Sequence, residues 1–290
     1  GTPGAVPAGH PLAAEAGLRV LEAGGLAMDA AITAAAVLAV ARPHMNGVGG
    51  DMFLLYFDSG TNLTYALNGS GRAGSAKTLE ELKALGLKTF LLPLNPGKDD
   101  DGNIYDYGST AMDAVWDEIE AAGVPVSHHI GETPPKTPCQ HNSVVVGMMV
   151  NVDSFREQFA KYVFSGILDR HPSLKIGWFE GGIAWVPTAL QDAEHMLASY
   201  RHMFNHQLQH DVRHYWDRHM SASFMVDPLG LQLIDHIGVD NVMWSSDYPH
   251  AASTWPKSSE FIERGFAGAP PEEMDKVVRA NVSTLYGFDL

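Results

Sequence analysis

A largely apolar, alanine-rich stretch over 10–42 reads as helix, broken at Gly24-Gly25 and ending before Pro43. A glycine-rich turn at 47–50 leads into the apolar run 52–57. A turn at Asp58-Ser59-Gly60 and a second run over 63–67 complete a hairpin signal, and small turn residues over 68–76 close this segment. Near Lys88 the pattern changes. Short apolar runs at 90–94, 124–130, 175–180, 222–226 and 241–247 predict strands. They are separated or followed by predicted helices at 111–122, 154–170, 188–200, 228–236 and 271–286. Strand, helix, strand is the signature of a parallel α/β sheet.

Charge and composition narrow the functional classes. The chain has 19 basic and 34 acidic residues and a net charge of -15, which argues against a nucleic-acid backbone or an anionic membrane as partner and favours a small-molecule substrate. Cys139 stands alone, so there is neither a disulfide framework nor a thiolate metal cluster, as in a reducing compartment. The longest apolar run, 27–41, is interrupted by Asp29 and Thr33 and is too short to cross a bilayer, so it reads as a buried helix. No basic n-region precedes an apolar stretch at the N-terminus, and a cytoplasmic location is the default expectation.

Three predicted strands end in an ionisable residue: His129, Glu180 and Asp247. In a β/α barrel the C-terminal strand ends form the active-site face, so this placement carries a functional expectation. His128 should point to the opposite face of its strand. His129 offers an imidazole, and Asp247 a carboxylate able to bind metal or take a proton from bound water; together they suit Zn²⁺ and similar ions. Any one of them alone is more often an ordinary polar strand end, and the coincidence of three brings the functional reading level with that one. His202, His206, His210 and His214 recur every four residues, which would align them on one helical face. Without an HExxH-type carboxylate, a partly exposed helix or loop is the preferred reading of that ladder. His10 and His44 each stand beside a Pro at a helix end and read as capping or packing residues.

Four segments, 92–97, 125–131, 171–185 and 240–250, together resemble the amidohydrolase 2 family, which includes aminocarboxymuconate-semialdehyde decarboxylase and related benzoate decarboxylases. The resemblance covers nearly all of 89–290. It implies a distorted (β/α)8 TIM-like barrel whose divalent metal, zinc by expectation, is held by an acidic-or-His, x, His pair on the first strand, a His on the fifth and an Asp on the eighth. His129 and Asp247 match the last two as metal ligands. Glu180 takes the place of the sixth-strand His that works in catalysis, so Glu180 and Asp247 are the expected catalytic pair. This departure leaves hydrolysis and decarboxylation both open. The first-strand pair has no counterpart, so the ligand count falls to two, and weak zinc binding with little turnover is expected.

Segments 10–17, 24–31 and 43–53 resemble the start of the gamma-glutamyltransferase family, and the match runs to about Gly86. That family's self-exposed threonine nucleophile lies far downstream of this region and has no match, and the family's substrate-carboxylate Arg has no clear counterpart. The expected fold is therefore α/β, with two domains. Residues 1–88 would be a small α+β fragment of Ntn-hydrolase type, and 89–290 the C-terminal part of an amidohydrolase barrel with about five strands. The expected function is a metal-dependent hydrolase or decarboxylase acting on a small carboxylate-bearing substrate. The alternative is a non-catalytic chimeric or truncated chain, and gamma-glutamyl transfer ranks last. An open half-barrel has exposed edges and must pair with a second copy as a homo-oligomer, borrow strands or remain unstable.

Overall fold

A computed structural model describes residues 4–42, 52–69, 83–84, 86–99, 101–131, 141, 143–248, 250 and 252–289. His44 and Cys139 lie outside them. The chain divides into two compact units, Gly1–Lys77 and Thr78–Leu290.

The first unit contains helices α1 (Pro11–Glu22) and α2 (Ala27–Ala41) and an antiparallel hairpin of β1 (Met52–Asp58) and β2 (Leu63–Gly69). His10 caps α1, its Nδ1 accepting from the Leu12 amide at 3.2 Å. The two helices approach closely because small residues line the contact. Ala13, Gly17, Ala30 and Ala34 are buried, and a Cβ at Gly17 would come within 3.0 Å of the Ala30 carbonyl.

The second unit is built on five parallel strands: β3 (Phe90–Leu91), β4 (Val126–His129), β5 (Ile176–Phe179), β6 (Met220–Phe224) and β7 (Val242–Trp244). Their order in the sheet follows their order in the chain, and each pairs in parallel with the next. Among the described residues β3 and β7 have one strand neighbour each, so the sheet is open. Helices α3 (Asp113–Ala122), α4 (Ser143–Val150), α5 (Asp153–Phe164), α6 (Trp185–Tyr200), α7 (Val212–His219), α8 (Ser258–Gly265) and α9 (Asn281–Tyr286), with several single turns, connect or follow the strands.

Strand register separates two faces. His128 stands beside Trp178 on the face under the helices, where Val126, Ile176, Met220, Ala222 and Val242 are also buried. Trp116, Phe155, Phe159, Tyr162, Trp185 and Trp216 complete this aromatic core. His128 is fully buried there and stacks on Trp178 with ring centroids 5.1 Å apart. Its Nδ1 donates to the Leu92 carbonyl and its Nε2 accepts from the Tyr162 hydroxyl, both at 2.9 Å. Burial lowers its pKa to about 4, so it is a neutral core histidine on the opposite face from His129. The other face carries Ser127, His129, Gly177, Phe179, Ser221 and Ser223. Near its N-terminal end the Tyr286 hydroxyl of α9 lies 3.3 Å from Ser127 Oγ.

Several predicted boundaries shift. The strand expected at 90–94 shrinks to Phe90–Leu91, since Pro93 has no amide to donate. The strand expected at 222–226 begins at Met220, where helix α7 ends directly into it. The helix expected at 154–170 breaks at Ser165-Gly166, with Gly166 at φ 77°. The histidine ladder does not share a helix. His202 is in a 3₁₀ turn, His206 is in a loop bonded to Asp169 Oδ2 at 2.9 Å, and only His214 lies within α7, its ring stacked on that of His210.

Candidate active site

His129, Glu180 and Asp247 come from the C-terminal ends of β4, β5 and β7, which parallel pairing directs to one edge of the sheet. His129 is the last residue of its strand. Its Nδ1 donates to the Ile130 carbonyl at 2.6 Å, which turns Nε2 toward Glu180. His129 Nε2 and Glu180 Oε2 are 2.5 Å apart. That distance places the two atoms in hydrogen-bond contact.

Glu180 and Asp247 both adopt left-handed backbone, at φ 68° and 53°. For residues bearing a Cβ this costs about 1–3 kcal/mol each, and it is the kind of strain found where a side chain must be aimed. The loop after Glu180 leaves no room for larger residues. A Cβ at Gly181 would lie 2.4 Å from Phe155, and Gly182, at φ 68°, would bring one within 2.9 Å of Asp227. Asp227 fixes this loop. Its Oδ2 accepts from the Ile183 and Ala184 amides at 2.7 and 2.9 Å, and its Oδ1 from Gly230 at 2.8 Å. Sequence reading did not single out Asp227; its place one residue before Pro228 at a helix start was the available signal.

The structure adds His250 to the cluster. Its Nδ1 lies 3.4 Å from Asp247 Oδ2, and one donor atom from each of Glu180, Asp247 and His250 lies within 4.8 Å of the others. His129 joins this trio through Glu180. Asp247 Oδ2 is buried and accepts no hydrogen bond, a condition that favours a nearby cation. Burial pushes the Glu180 carboxyl above its ordinary range; His129 opposes this and the Asp247 charge reinforces it. Two carboxylates and the His250 imidazole, with His129 against Glu180, therefore fit a divalent metal by charge and donor type. A separate cavity of about 600 Å³, lined by Phe224, Trp244, Phe261 and Phe266 among others, includes none of these four residues.

The profile of the amidohydrolase family matches residues 12–288. The chain belongs to the amidohydrolase family. Its fold resembles that of amidohydrolase map2389c from Mycobacterium avium subsp. paratuberculosis K-10, with TM-score 0.58 and 22% identity over 72% of this chain and 54% of that one. A dihydroxybenzoic acid decarboxylase from Polaromonas sp. JS666, solved with bound manganese and the inhibitor 2-nitroresorcinol, aligns with TM-score 0.56 and 16% identity, covering 72% and 64%. At these identities the likeness is one of fold. A different kind of relative is the glutathione hydrolase-like YwrD proenzyme of Bacillus subtilis (strain 168), 47% identical over 83 residues. Those residues are 29% of this chain and 16% of the proenzyme. The chain thus spans about half of the solved amidohydrolase and a sixth of the curated relative. Among the described residues no helix is long and apolar enough to cross a membrane.

Proposed function

We propose that the second unit is a metal-dependent decarboxylase site that acts on a small aromatic or enol carboxylate. What supports this reading is the contact of His129 with Glu180, with Asp247 beside it, at the C-terminal ends of strands in an amidohydrolase-type sheet. In this reading Glu180 and Asp247 are the catalytic carboxylates. His129 and Asp247 occupy positions that the family resemblance gives to metal ligands, and Glu180 and His250 lie within the same cluster. A divalent cation held there, Zn²⁺ or Mn²⁺, would withdraw electron density from a substrate oxygen. The chain's own groups handle the proton. As the bond to the carboxyl carbon breaks and CO₂ leaves, the electron pair stays on the substrate carbon, and the proton held between Glu180 and His129 takes the vacated position. Hydrolysis by the same pair would run the proton the other way, from water to Glu180.

The test is CO₂ release from 2,6-dihydroxybenzoate and 5-carboxyvanillate by the purified full chain with added Mn²⁺ or Zn²⁺. Turnover that falls at least about 100-fold in Glu180→Gln supports the reading. A folded, metal-loaded chain that releases none from either acid sinks it.

The open edges of β3 and β7 favour a second reading. Residues 1–88 would be a gamma-glutamyltransferase-like fragment of Ntn-hydrolase type. Residues 89–290 would be an incomplete barrel that closes by pairing with a second copy, without catalysis. Inactive protein whose mass in solution doubles with concentration is the outcome expected of this alternative.

A further inference from the structure

We propose that the cavity between the ends of β6 and β7 and helix α8 binds a small hydroxylated aromatic acid, at a site separate from the strand-end cluster. The site stands whether or not that cluster turns over a substrate.

The cavity lies on the helix side of the sheet. Phe224 ends β6, Trp244 ends β7, and the two are register partners. Each stands two residues beyond a fully buried residue of that face, Ala222 and Val242, so period-two alternation puts both rings there. His129 belongs to the opposite face, and Glu180, Asp247 and His250 are likewise absent from the cavity wall. Helix α8 contributes Phe261 and Ile262, the turn after it Phe266, and the helical turn Pro228–Gln232 contributes Leu231. The rings of Phe224 and Phe266 are 6.5 Å apart and tilted by 48°. The enclosed space of about 600 Å³ falls within the roughly 300–1,000 Å³ of small-molecule sites. Four aromatic rings favour a flat apolar ligand body, which gains ring contacts as well as buried area.

Polar groups on the wall set the rest of the chemistry. The Arg264 guanidinium carbon lies 4.7 Å from the centroid of the Phe261 ring, and Arg264 has no ion pair among the described residues. An arginine held against a ring without a carboxylate partner keeps its donor edge for an anion, and it takes a carboxylate through two parallel bonds. Two acidic residues also line the cavity. The charge of Asp227 is already met by the Ile183, Ala184 and Gly230 amides. Half-buried Glu273 offers an acceptor, which calls for a ligand donor such as a phenolic hydroxyl. Trp244 Nε1 is taken by the Met225 carbonyl at 3.2 Å, so that indole presents apolar surface only. A carboxylate for Arg264 and a hydroxyl for Glu273, carried on a flat apolar frame, define the ligand class.

The experiment is titration calorimetry of the full chain with 6-hydroxy-2-naphthoate and with the neutral 2-naphthol. One equivalent of the acid should bind the parent with Kd of about 1 mM or tighter. Arg264→Gln should weaken the acid about 10-fold and change 2-naphthol less than about 3-fold, the pattern of one lost charge-assisted contact. Ala269→Phe and Leu231→Trp each put bulk into the cavity and should remove binding of both ligands. Two such variants are made so that one remains if the other fails to fold, as judged by far-UV circular dichroism. The double variant Glu180→Gln with Asp247→Asn should bind the acid as the parent does. A parent that does not bind the acid overturns the proposal, as does undiminished binding in a folded cavity-filled variant. An Arg264→Gln chain that does not distinguish the two ligands also overturns it. So does loss of the acid in the Glu180 and Asp247 double variant, which would put the ligand at the strand-end cluster.

Discussion

His129 Nε2 and Glu180 Oε2 stand 2.5 Å apart, an imidazole and a carboxylate supplied by adjacent parallel strands. Burial has raised the Glu180 carboxyl, against the pull of His129 and with the help of Asp247. Between the ordinary glutamate value and this higher one, the folded chain binds more protons than the unfolded chain. Stability therefore declines as pH rises through that window. Glu180→Gln removes this penalty, so it should raise the melting temperature at pH 7–8 by about 2–4 °C while abolishing turnover. Thermal melts of both proteins at pH 4.5 and pH 8 check it. A variant that melts lower than the parent at pH 8 contradicts the burial argument.

His128 titrates in the opposite sense. Its folded pKa of about 4 lies below the unfolded value near 6.5, so the unfolded chain binds the extra proton first. The stability it contributes is complete above pH 6.5 and is lost as pH falls toward 4, by up to about 3 kcal/mol. Urea unfolding between pH 7 and 4 should show this slope, and His128→Gln should flatten it.

A second acid-sensitive element links helix α3 to the segment before β5. Buried His171 places Nε2 3.2 Å from Asp113 and Nδ1 3.2 Å from Glu120, and Arg170 also bonds Asp113. Burial alone would raise both carboxyls. For Asp113 the bonds from Arg170 and His171 outweigh it, and for Glu120 those from Ser173 and His171, so both end below their ordinary values. Folded-state pKa values below the unfolded ones mean stability present above about pH 4.5 and lost as pH drops through them. Asp113→Asn with Glu120→Gln should lower the melting temperature at pH 6 and leave it nearly unchanged at pH 3.

Asp227 is a structural test of the site. Its carboxylate accepts three backbone amides, two of them from the loop that follows Glu180. Asp227→Ala leaves those amides unpaired and should cost about 2–4 kcal/mol in chemical denaturation. Asp227→Asn, which keeps acceptor oxygen, should recover part of the loss. Equal stability in all three proteins would mean that water replaces the carboxylate at no cost.

The parallel sheet and the strand-end residues were legible because the strands are short apolar runs and three of them stop at an ionisable side chain. The placement of His128 on the face opposite His129 followed from period-two alternation alone. Helix α4 was not legible, since Ser-Val-Val-Val-Gly-Met-Met-Val has no polar face to mark a helical period. Helix α7 was obscured by a four-residue histidine spacing that a turn and a loop interrupt. His250 follows Asp247 by only three residues. Its contribution depends on the left-handed turn at Asp247 folding the chain back on itself, which residue types do not announce. Asp227 was missed for a similar reason, because its amide partners are more than forty residues away for two of its three bonds.

The wrong-handed backbone at Glu180 and Asp247 gives the site a direction of decay. Glycine is the residue that occupies such a conformation without steric cost, and Gly181 and Gly182 already follow Glu180. Replacing either acid by glycine would relieve local strain and remove a carboxylate of the proposed site in the same step. A lineage released from the need for activity would therefore find its inactivating substitutions among those that make the chain more robust. Two charged side chains at these two turns mark the places where local backbone comfort and the proposed chemistry pull against each other.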